Sequence, residues 1–274
     1  MDWMQTHPTR YPTDLTDEEW NQIQSLIPAP QSGKGRRGRP LKLARRTLVN
    51  ALFYVVRAGC AWRLLPKDYG PWQTVYGYFR QWSQDWTWTL IHDTLRDWVR
   101  YTEGRHVAPT AAIIDSQSVK TPDQAGERGY DAGKKIKGRK RHLAVDVLGL
   151  VLAIMITPAA TQDRDAAKPL IKELVKWFGR LQIIWADGGY LGTLVRWVKQ
   201  LRPYGKLHLE IVRRSDRAKG FQVLPKRWIV ERTFGWFFKS RRLRTDYEVR
   251  LDHSEAMLRI CMIRLMVRRL AKPI

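Results

Sequence analysis

The stretch AAIID, residues 111–115, limits the folds open to this chain more than any other feature. Ala111 to Ile114 form a short apolar run of the kind found in buried strands, and Asp115 follows directly. An ionised carboxylate next to a buried strand is costly unless it is solvated, paired or bound to a metal. Two interpretations follow: the strand ends in a loop, or the sheet holds Asp115 in place for chemistry.

A second apolar run, IIWAD at residues 183–187, ends in Asp187, which lies 72 residues after Asp115 (187 − 115 = 72). If the two strands are neighbours in one sheet, both carboxylates lie at the same edge, where open α/β sheets place their sites. After residue 105 the predicted order is strand, strand, strand, helix, strand, helix, strand, helix, which indicates an α/β fold with a mixed sheet flanked by helices. We expect strands within 110–119, 141–158 (two, with a tight turn at Gly149), 181–187 and 207–214, and helices over 165–179, 193–201 and 226–243.

A third acid, Glu231, lies in a predicted helix that is otherwise apolar or basic. Its apolar face, which includes Phe234 and Phe237, would pack on the sheet and place Glu231 beside the strand ends. Three carboxylates supply the hard oxygen ligands that a pair of Mg²⁺ ions prefers, and such a pair can promote displacement at phosphorus. Arg227, one turn before Glu231, and Arg242, about three turns after it, would hold a phosphodiester there. Because the chain has 26 acidic residues, spacing alone does not identify the site.

The charge balance indicates a polyanionic partner. Lys and Arg total 49 against 26 Asp and Glu, a formal net charge of +23, which favours nucleic acid. A basic membrane-surface protein is the competing interpretation, but no amphipathic anchor, lipidation motif or signal-like start supports it. The most hydrophobic segment, residues 147–156, is about half as long as a membrane helix. Cys60 and Cys261 lack metal-site spacing and fit a reducing compartment, so we expect a cytoplasmic protein.

The first 104 residues predict a small all-α domain of the helix-turn-helix type. Thr16 and Glu19 form a capping-box pattern at the start of a helix that Pro28 would end, and helical patterns follow at 46–59, 71–86 and 90–104. Successive short, basic and aromatic helices are compatible with DNA binding, and a plain helical bundle with a tryptophan core is the alternative. A basic arm, residues 31–46, has no acidic counterpart nearby and favours DNA binding. The DNA contacts predicted in this arm are Lys34, Arg36, Arg37 and Arg39.

A second basic run, residues 134–142, leads into one of the predicted strands. It is either a solvated loop or a contact for the DNA backbone, which would give salt-dependent affinity without sequence preference. We favour backbone contact because the run lies near the proposed site. Its predicted contacts are Lys134, Lys135, Lys137, Arg139, Lys140 and Arg141.

Three other acids compete for the metal site. Asp146 precedes the turn at Gly149, whereas Asp163 and Asp165 could instead cap the following helix. The C-terminal segment, residues 258–272, has the pattern of an amphipathic basic helix. We expect this helix to pack on the catalytic domain, and a dimer contact is a further option.

Four segments together carry a family resemblance: IIDSQSVKTP, GYDAGKKIKGRKRHLAVDVLGLVLAIMITPA, ADGGYLG and LPKRWIVERTFGWFFKSRRLRTDYE. They resemble the catalytic domain of bacterial insertion-sequence transposases of the DDE class, in the group related to insertion sequence 5. LTDEEWNQIQSLIP and WRLLPKDYGPWQTVYGYFRQW resemble the helical module that precedes that domain. The resemblance runs from about residue 10 to residue 270.

The resemblance implies a ribonuclease H-like fold in which Asp115, Asp187 and Glu231 are the triad and coordinate two Mg²⁺ (or Mn²⁺) ions. In that scheme Asp115 bridges the ions, while Asp187 and Glu231 each hold one. The implied chemistry is attack by water to free the 3′ end of the element, followed by attack of that 3′-OH on target DNA.

The sequence departs from the family pattern at three positions around the last two acids. Leu224 stands at the usual tyrosine position, and Gly188 follows Asp187 where many relatives carry lysine. Phe238 stands at the usual lysine position and Lys239 one step later, which leaves a DNA-binding role for Lys239 open.

We therefore expect a helical DNA-binding module over residues 1–104 and a catalytic domain over 105–274. The expected partners are double-stranded DNA, both element ends and target, and a second copy of the chain on that DNA, in a nucleoid-associated protein. One alternative function is a sequence-specific DNA-binding protein without catalysis that descends from such an enzyme. The other is a metal-dependent nuclease without strand transfer.

Overall fold

The computed structural model describes residues 10–29, 43–123, 126–202, 205–212 and 226–272. The chain divides into two compact units. The first comprises Met1–Val99, Ser240–Leu243 and Ala256–Ile274, and the second comprises Arg100–Lys239 and Arg244–Glu255. Along the chain, the first unit gives way to the second between Val99 and Arg100, and the predicted boundary is after residue 104. The C-terminal segment differs from the prediction, because it groups with the N-terminal helices rather than with the sheet.

The described residues form helices and strands close to those predicted. The helices are α1 (Asp17–Ile23), α2 (Arg45–Ala58), α3 (Trp72–Gln84), α4 (Thr87–Thr102), α5 (Asp163–Trp177), α6 (Thr193–Leu201), α7 (Arg227–Phe238) and α8 (Leu251–Leu270). The strands are β1 (Ala111–Lys120), β2 (Gly129–Asp131), β3 (Ile136–Val145), β4 (Val151–Pro158), β5 (Ile183–Ala186) and β6 (His208–Ile211). No described helix is long and apolar enough to cross a membrane.

Local sequence signals explain several of the element ends. Thr16 and Glu19 form the predicted capping box, in which each side chain accepts a hydrogen bond from the other residue's backbone N–H. Gly59 ends α2 with φ of 74°, a left-handed conformation that glycine adopts without strain. Gly149 closes the tight turn between β3 and β4 with φ of 79°. These caps and turns set the bounds that the sequence predicts.

The sheet is mixed, as predicted. Its strand order is β2–β3–β1–β5–β6, and β4 also pairs with β3. The pairs β1–β3, β2–β3 and β3–β4 are antiparallel, whereas β1–β5 and β5–β6 are parallel. α5 and α6 cover one face with an apolar core that includes Ile114, Leu170, Leu174 and Ile184. This ribonuclease H-like mixed sheet, flanked by helices and preceded by a helical region, is the fold class that the sequence indicates.

Three local predictions are wrong. β1 covers Ala111–Lys120, close to the predicted 110–119, so Asp115 lies in the middle of the strand and the interpretation that the strand ends in a loop there is wrong. α7 ends at Phe238 instead of residue 243, and a separate short 3₁₀ helix follows at Arg241–Leu243. The helical spacing of Leu170, Leu174 and Trp177 in the segment 165–179 predicts that all three lie on the packed side of α5, but Trp177 is 66% exposed.

Candidate active site

The strand register places Asp115 and Asp187 side by side. β1 and β5 are parallel neighbours, and Ile113 pairs with Trp185. Two residues further along each strand lie Asp115 and Asp187, on the same face because side chains alternate along a strand. β5 ends at Ala186, so Asp187 is the first residue after that strand and lies level with Asp115 on β1. The sheet therefore brings the two predicted acids together.

Backbone N–H groups hold one oxygen of each aspartate. The Ser116 backbone N–H donates to Asp115 Oδ1 at 2.7 Å, and the Gly189 backbone N–H donates to Asp187 Oδ1 at 2.8 Å. The second oxygen of each, Oδ2, points toward Arg227. Each carboxylate is thus oriented by the main chain and presents its other oxygen to the centre of the site.

α7 supplies the third acid and a cation. Arg227 Nη2 lies 3.8 Å from Asp115 Oδ2, 3.7 Å from Asp187 Oδ2 and 3.6 Å from Glu231 Oε1. Arg227 and Glu231 are one helical turn apart, as the sequence predicts. These distances are ion-pair distances rather than hydrogen bonds. The three carboxylates therefore surround one guanidinium without a close bond to it.

Lys226 fixes the start of α7 against the sheet. It adopts a positive φ of 70°, and its Nζ lies 3.9 Å from the centroid of the Trp185 ring. A cation over an indole face is attracted by the ring quadrupole. This contact, which the sequence did not reveal, places the first turn of α7 beside the end of β5.

Burial raises the pKa of Asp115 to about 6. The Ser116 N–H and the Arg227 charge lower this pKa, and the Asp187 charge raises it. Side-chain exposure increases from 16% for Asp115 to 33% for Asp187 and 53% for Glu231. The site therefore runs from a buried aspartate on the sheet to an open glutamate on the helix.

The donor chemistry fits hard divalent cations, since three carboxylates converge with oxygens directed at a common centre. As placed, the guanidinium of Arg227 is the cation at that centre. Among the described residues, no group of three or more His, Cys, Asp or Glu side chains is close enough to hold a metal ion. Binding of ions there requires the carboxylates to move together and Arg227 to move away.

The opposite face of β1 carries a second polar cluster. Ser116 Oγ donates to Asp163 Oδ1 at 2.8 Å, and Lys140 Nζ lies 3.2 Å from the same oxygen and 3.6 Å from Asp131 Oδ2. Ser118 Oγ donates to Asp131 at 2.6 Å. Asp163 is therefore a bonded structural residue at the start of α5, not one of the converging acids.

Tyr190 lies close enough to the two aspartates to feel their charges. The sequence did not single it out, although it belongs to the ADGGYLG segment. It is buried, which raises the pKa of its hydroxyl, and the charges of Asp115, Asp163 and Asp187 raise this pKa further. A hydrogen bond with Ser116 acts in the opposite direction. The phenol is therefore neutral and packs against Ser116, the residue that orients Asp115.

Asp146, another competing acid, is a structural group. Its side chain is fully buried, pairs with Arg100 and accepts N–H donation from Leu148 and Leu150 in the β3–β4 turn. The two backbone contacts fix the turn at Gly149, and the Arg100 pair neutralises the buried charge. Asp165 lies in the first turn of α5, where a negative charge complements the helix dipole.

The basic run at 134–142 is split by the fold. Lys134, Lys135 and Lys137 are exposed at the β2–β3 hairpin, and the charge of Lys134 acts on Asp115. Arg139, Lys140 and Arg141 are buried within β3. Each of these residues exposes 8% of its surface or less, which disfavours the predicted DNA contact at these three positions.

Arg139 shows what the buried cations do instead. Its guanidinium donates to the carbonyl oxygens of Glu127, Glu248 and Val249 and lies 3.3 Å from Asp246. These bonds fasten the segment after α7 to the sheet.

The remaining predicted cations fall in three places. Arg242 lies beyond the end of α7 in the first unit, where it is buried and donates to the Cys60 carbonyl. The prediction that it shares a helix face with Glu231 is wrong for that reason. Lys239 is exposed at the C-terminal end of α7. Lys34, Arg36, Arg37 and Arg39 lie outside the described residues, as does Leu224.

Comparisons with known proteins identify the class. The model of the transposase DDE domain matches residues 107–266, more than half of the chain, and that of predicted transposases of the IS4/5 family (DUF4096) matches residues 15–92. The chain belongs to the DDE transposase family of bacterial insertion sequences and is an enzyme that acts on DNA.

Individual relatives agree with this assignment. The predicted transposase of insertion sequence element IS402 from Burkholderia cepacia is 32% identical over 160 residues, which cover 55% of this chain and 72% of the relative. An uncharacterised 16.2 kDa protein of the same element is 25% identical over 124 residues, 44% of this chain and 78% of that protein. A chain in the crystal structure of the Mos1 strand transfer complex aligns with 88% of this chain and 82% of its own length at 12% identity, with a TM-score of 0.25, which is too low to establish a shared fold.

Proposed function

We propose that the chain cleaves DNA at the ends of an insertion sequence and joins the freed 3′ ends to target DNA. The observation that carries the proposal is the convergence of Asp115, Asp187 and Glu231 around one cation position. The family assignment supports it, since the two strand acids and the helix acid occupy the order in which that family presents its triad.

In the first step a water oxygen attacks the phosphorus at the element boundary, and the bond from phosphorus to the 3′ oxygen breaks. In the second step the released 3′-OH attacks a target phosphodiester, so one phosphodiester bond forms as another breaks. No external energy source is needed. Two bound Mg²⁺ or Mn²⁺ ions would activate the attacking oxygen and stabilise the leaving one.

The side chains of the site have distinct roles in this proposal. Asp115, Asp187 and Glu231 would hold the two ions. The backbone N–H groups of Ser116 and Gly189 keep the two aspartates oriented. Arg227 balances the three carboxylates before substrate binds and then pairs with a phosphate oxygen, for which its planar guanidinium is suited.

DNA binding outside the site would depend on exposed cations. Lys134, Lys135 and Lys137 lie on the hairpin nearest Asp115, and Lys239 lies at the far end of α7. The arm residues Lys34, Arg36, Arg37 and Arg39 would add contacts from the N-terminal module. We also propose that two copies act together, because two element ends must be processed in one event.

The test is cleavage of a labelled duplex that carries the inverted repeat flanking the reading frame, with Mg²⁺ or Mn²⁺. Native protein should nick at the repeat boundary and then join the labelled 3′ end to a plasmid, and Asp187→Asn should do neither. Specific binding without cutting would favour the DNA-binding alternative, and cutting without joining or end preference would favour the nuclease.

A further inference from the structure

The outward side of α7 combines features that neither packing nor the triad explains. Glu231 is the only acid in the helix, and Gly235 follows it one turn later on the same side. Trp228, Arg232 and Trp236 form a row beside them, each four residues after the last. This side of α7 is the surface that a strand bound at Glu231 would meet next.

Gly235 leaves a bare turn in the middle of the helix. Glycine is the least favourable residue in a helix interior after proline. A Cβ at this position would meet no heavy atom of the described residues within 4 Å, and its φ is not among the positive values. Neither close packing within the described ranges nor backbone conformation requires glycine here. Close approach of another molecule to the helix backbone is one physical reason for a glycine at such a position.

Gly188 repeats this feature on the other side of the site. It follows Asp187, is exposed, and a Cβ there would likewise meet nothing within 4 Å in the part of the chain that the structure describes. Two of the three acids are therefore followed by an open glycine, one residue after Asp187 and one helical turn after Glu231.

The aromatic row adds a stacking surface. Arg232 Cζ lies 4.6 Å from the ring centroid of Trp228 and 4.9 Å from that of Trp236. Arg232 also donates to the Leu148 carbonyl at 2.9 Å, which ties the row to the β3–β4 turn. Trp228 still exposes 41% of its surface. An exposed indole backed by a guanidinium is a surface on which a nucleobase stacks.

We propose that the DNA strand carrying the scissile phosphate crosses α7 at Gly235, with its sugar–phosphate backbone against the bare helical turn and an adjacent base on Trp228. Glu231 and Gly235 are about 6 Å apart along the helix axis. A strand held at Glu231 therefore reaches Gly235 within about two nucleotides. The proposal rests on the proposed function and specifies where its substrate lies.

The first test is a size series at residue 235. Gly235→Ala should raise the unfolding midpoint by about 2–4 °C, because alanine favours the helix. The same change should weaken binding of the repeat-end duplex several-fold, and Gly235→Leu should reduce cleavage by roughly a hundredfold through displacement of the strand. Higher stability together with weaker binding cannot arise from misfolding.

The matched control is Gly179→Ala, since Gly179 is exposed and its Cβ space is equally open beyond the end of α5. This variant should leave binding and cleavage unchanged. Unchanged affinity and cleavage in both Gly235 variants would overturn the proposed crossing point.

The second test compares two exposed tryptophans. Trp228→Ala should weaken binding by roughly tenfold, the usual value of one stacked base. Trp177→Ala should have no effect, although Trp177 is 66% exposed and has Lys176 Nζ 5.0 Å from its ring centroid. It lies at the end of α5, about 21 Å along the helix from Asp163. Equal effects of the two substitutions would show that no base stacks on Trp228.

The proposed function can fail separately. If native protein binds the duplex without cutting it, catalysis is refuted, while the affinity series still decides whether DNA contacts α7. If native protein binds no DNA, both proposals fail.

Discussion

The two faces of β1 place acidic side chains in opposite situations. On the face toward α5, Asp163 and Asp131 accept hydrogen bonds of 2.8 and 2.6 Å from serine hydroxyls and share Lys140. On the face toward α7, Asp115, Asp187 and Glu231 share one guanidinium at 3.6–3.8 Å. The adjacent residues Asp115 and Ser116 of β1 thus belong to different clusters. Ser116 joins a cluster linked by short hydrogen bonds, and Asp115 joins one in which three carboxylates share a single cation at ion-pair distance.

The difference separates structural acids from functional ones. A buried polar group that has its partners stabilises the fold. Carboxylates gathered around one cation instead repel one another, and the Asp187 charge accordingly raises the pKa of Asp115. Such an arrangement persists where a ligand completes it. Substitutions on the α7 face should therefore change the binding of metal ions and DNA. Substitutions on the α5 face should change the free energy of unfolding.

The largest expected effect is on cleavage. Asp115→Asn, Asp187→Asn and Glu231→Gln should each reduce cleavage by more than about a thousandfold, because a metal-bound site supplies several kcal/mol of transition-state stabilisation. DNA affinity should be retained. Asp163→Asn, on the other face, should keep cleavage within about tenfold of native. An equal loss of cleavage in Asp163→Asn, measured on the same duplex, would contradict the assignment of catalytic acids to the α7 face and structural acids to the α5 face.

Lys140→Met should have the largest effect on stability. It leaves Asp131 and Asp163 without their shared cation, and removal of one partner of a buried ion pair costs about 3 kcal/mol or more. Chemical denaturation should show this loss at neutral pH. Lys134→Met, which changes an exposed lysine in the neighbouring hairpin, is the control and should change the free energy of unfolding by less than about 0.5 kcal/mol.

Asp115→Asn should do the reverse and stabilise the protein. The pKa of Asp115, about 6, is above its unfolded value near 3.8, so ionisation is disfavoured in the folded state. Native stability therefore falls as pH rises from about 4 to 6, and the penalty remains above pH 6. At pH 8 in a chelator the variant should gain about 3 kcal/mol, and the gain should vanish near pH 4. A loss of stability at pH 8 would place Asp115 among the structural acids.

The smallest expected effect is on the salt dependence of DNA binding. Lys134→Gln and Lys135→Gln should each lower the slope of log affinity against log salt by about one unit, since each removes one phosphate contact. Lys172→Gln, an exposed change on α5, should leave the slope unchanged. An unchanged slope in the hairpin variants would show that this hairpin does not contact DNA.

Much of this comparison could be predicted from sequence because it depends on periodicity. Two apolar runs, each followed by an aspartate, predicted that Asp115 and Asp187 lie close together. The strand register confirms this proximity. The i,i+4 spacing of Arg227 and Glu231 similarly predicted their shared side of α7.

What could not be predicted depends on contacts distant in sequence. A run of basic residues looks the same in the sequence whether its side chains are solvated or buried. Arg139 is buried because it bonds to carbonyl oxygens about 110 residues later in the chain. The end of α7 was missed because Lys239 and Ser240 continue a helix-compatible pattern. Asp146 could not be assigned without its partner Arg100, 46 residues earlier.

The most direct test of the central claim is a count of Mn²⁺ ions bound by the protein–DNA complex, measured by electron paramagnetic resonance. We expect two ions per active site in native protein and in Asp163→Asn, and fewer than two in Asp115→Asn and Glu231→Gln. Absence of bound Mn²⁺ in the native complex, or loss of it in Asp163→Asn alone, would contradict the account.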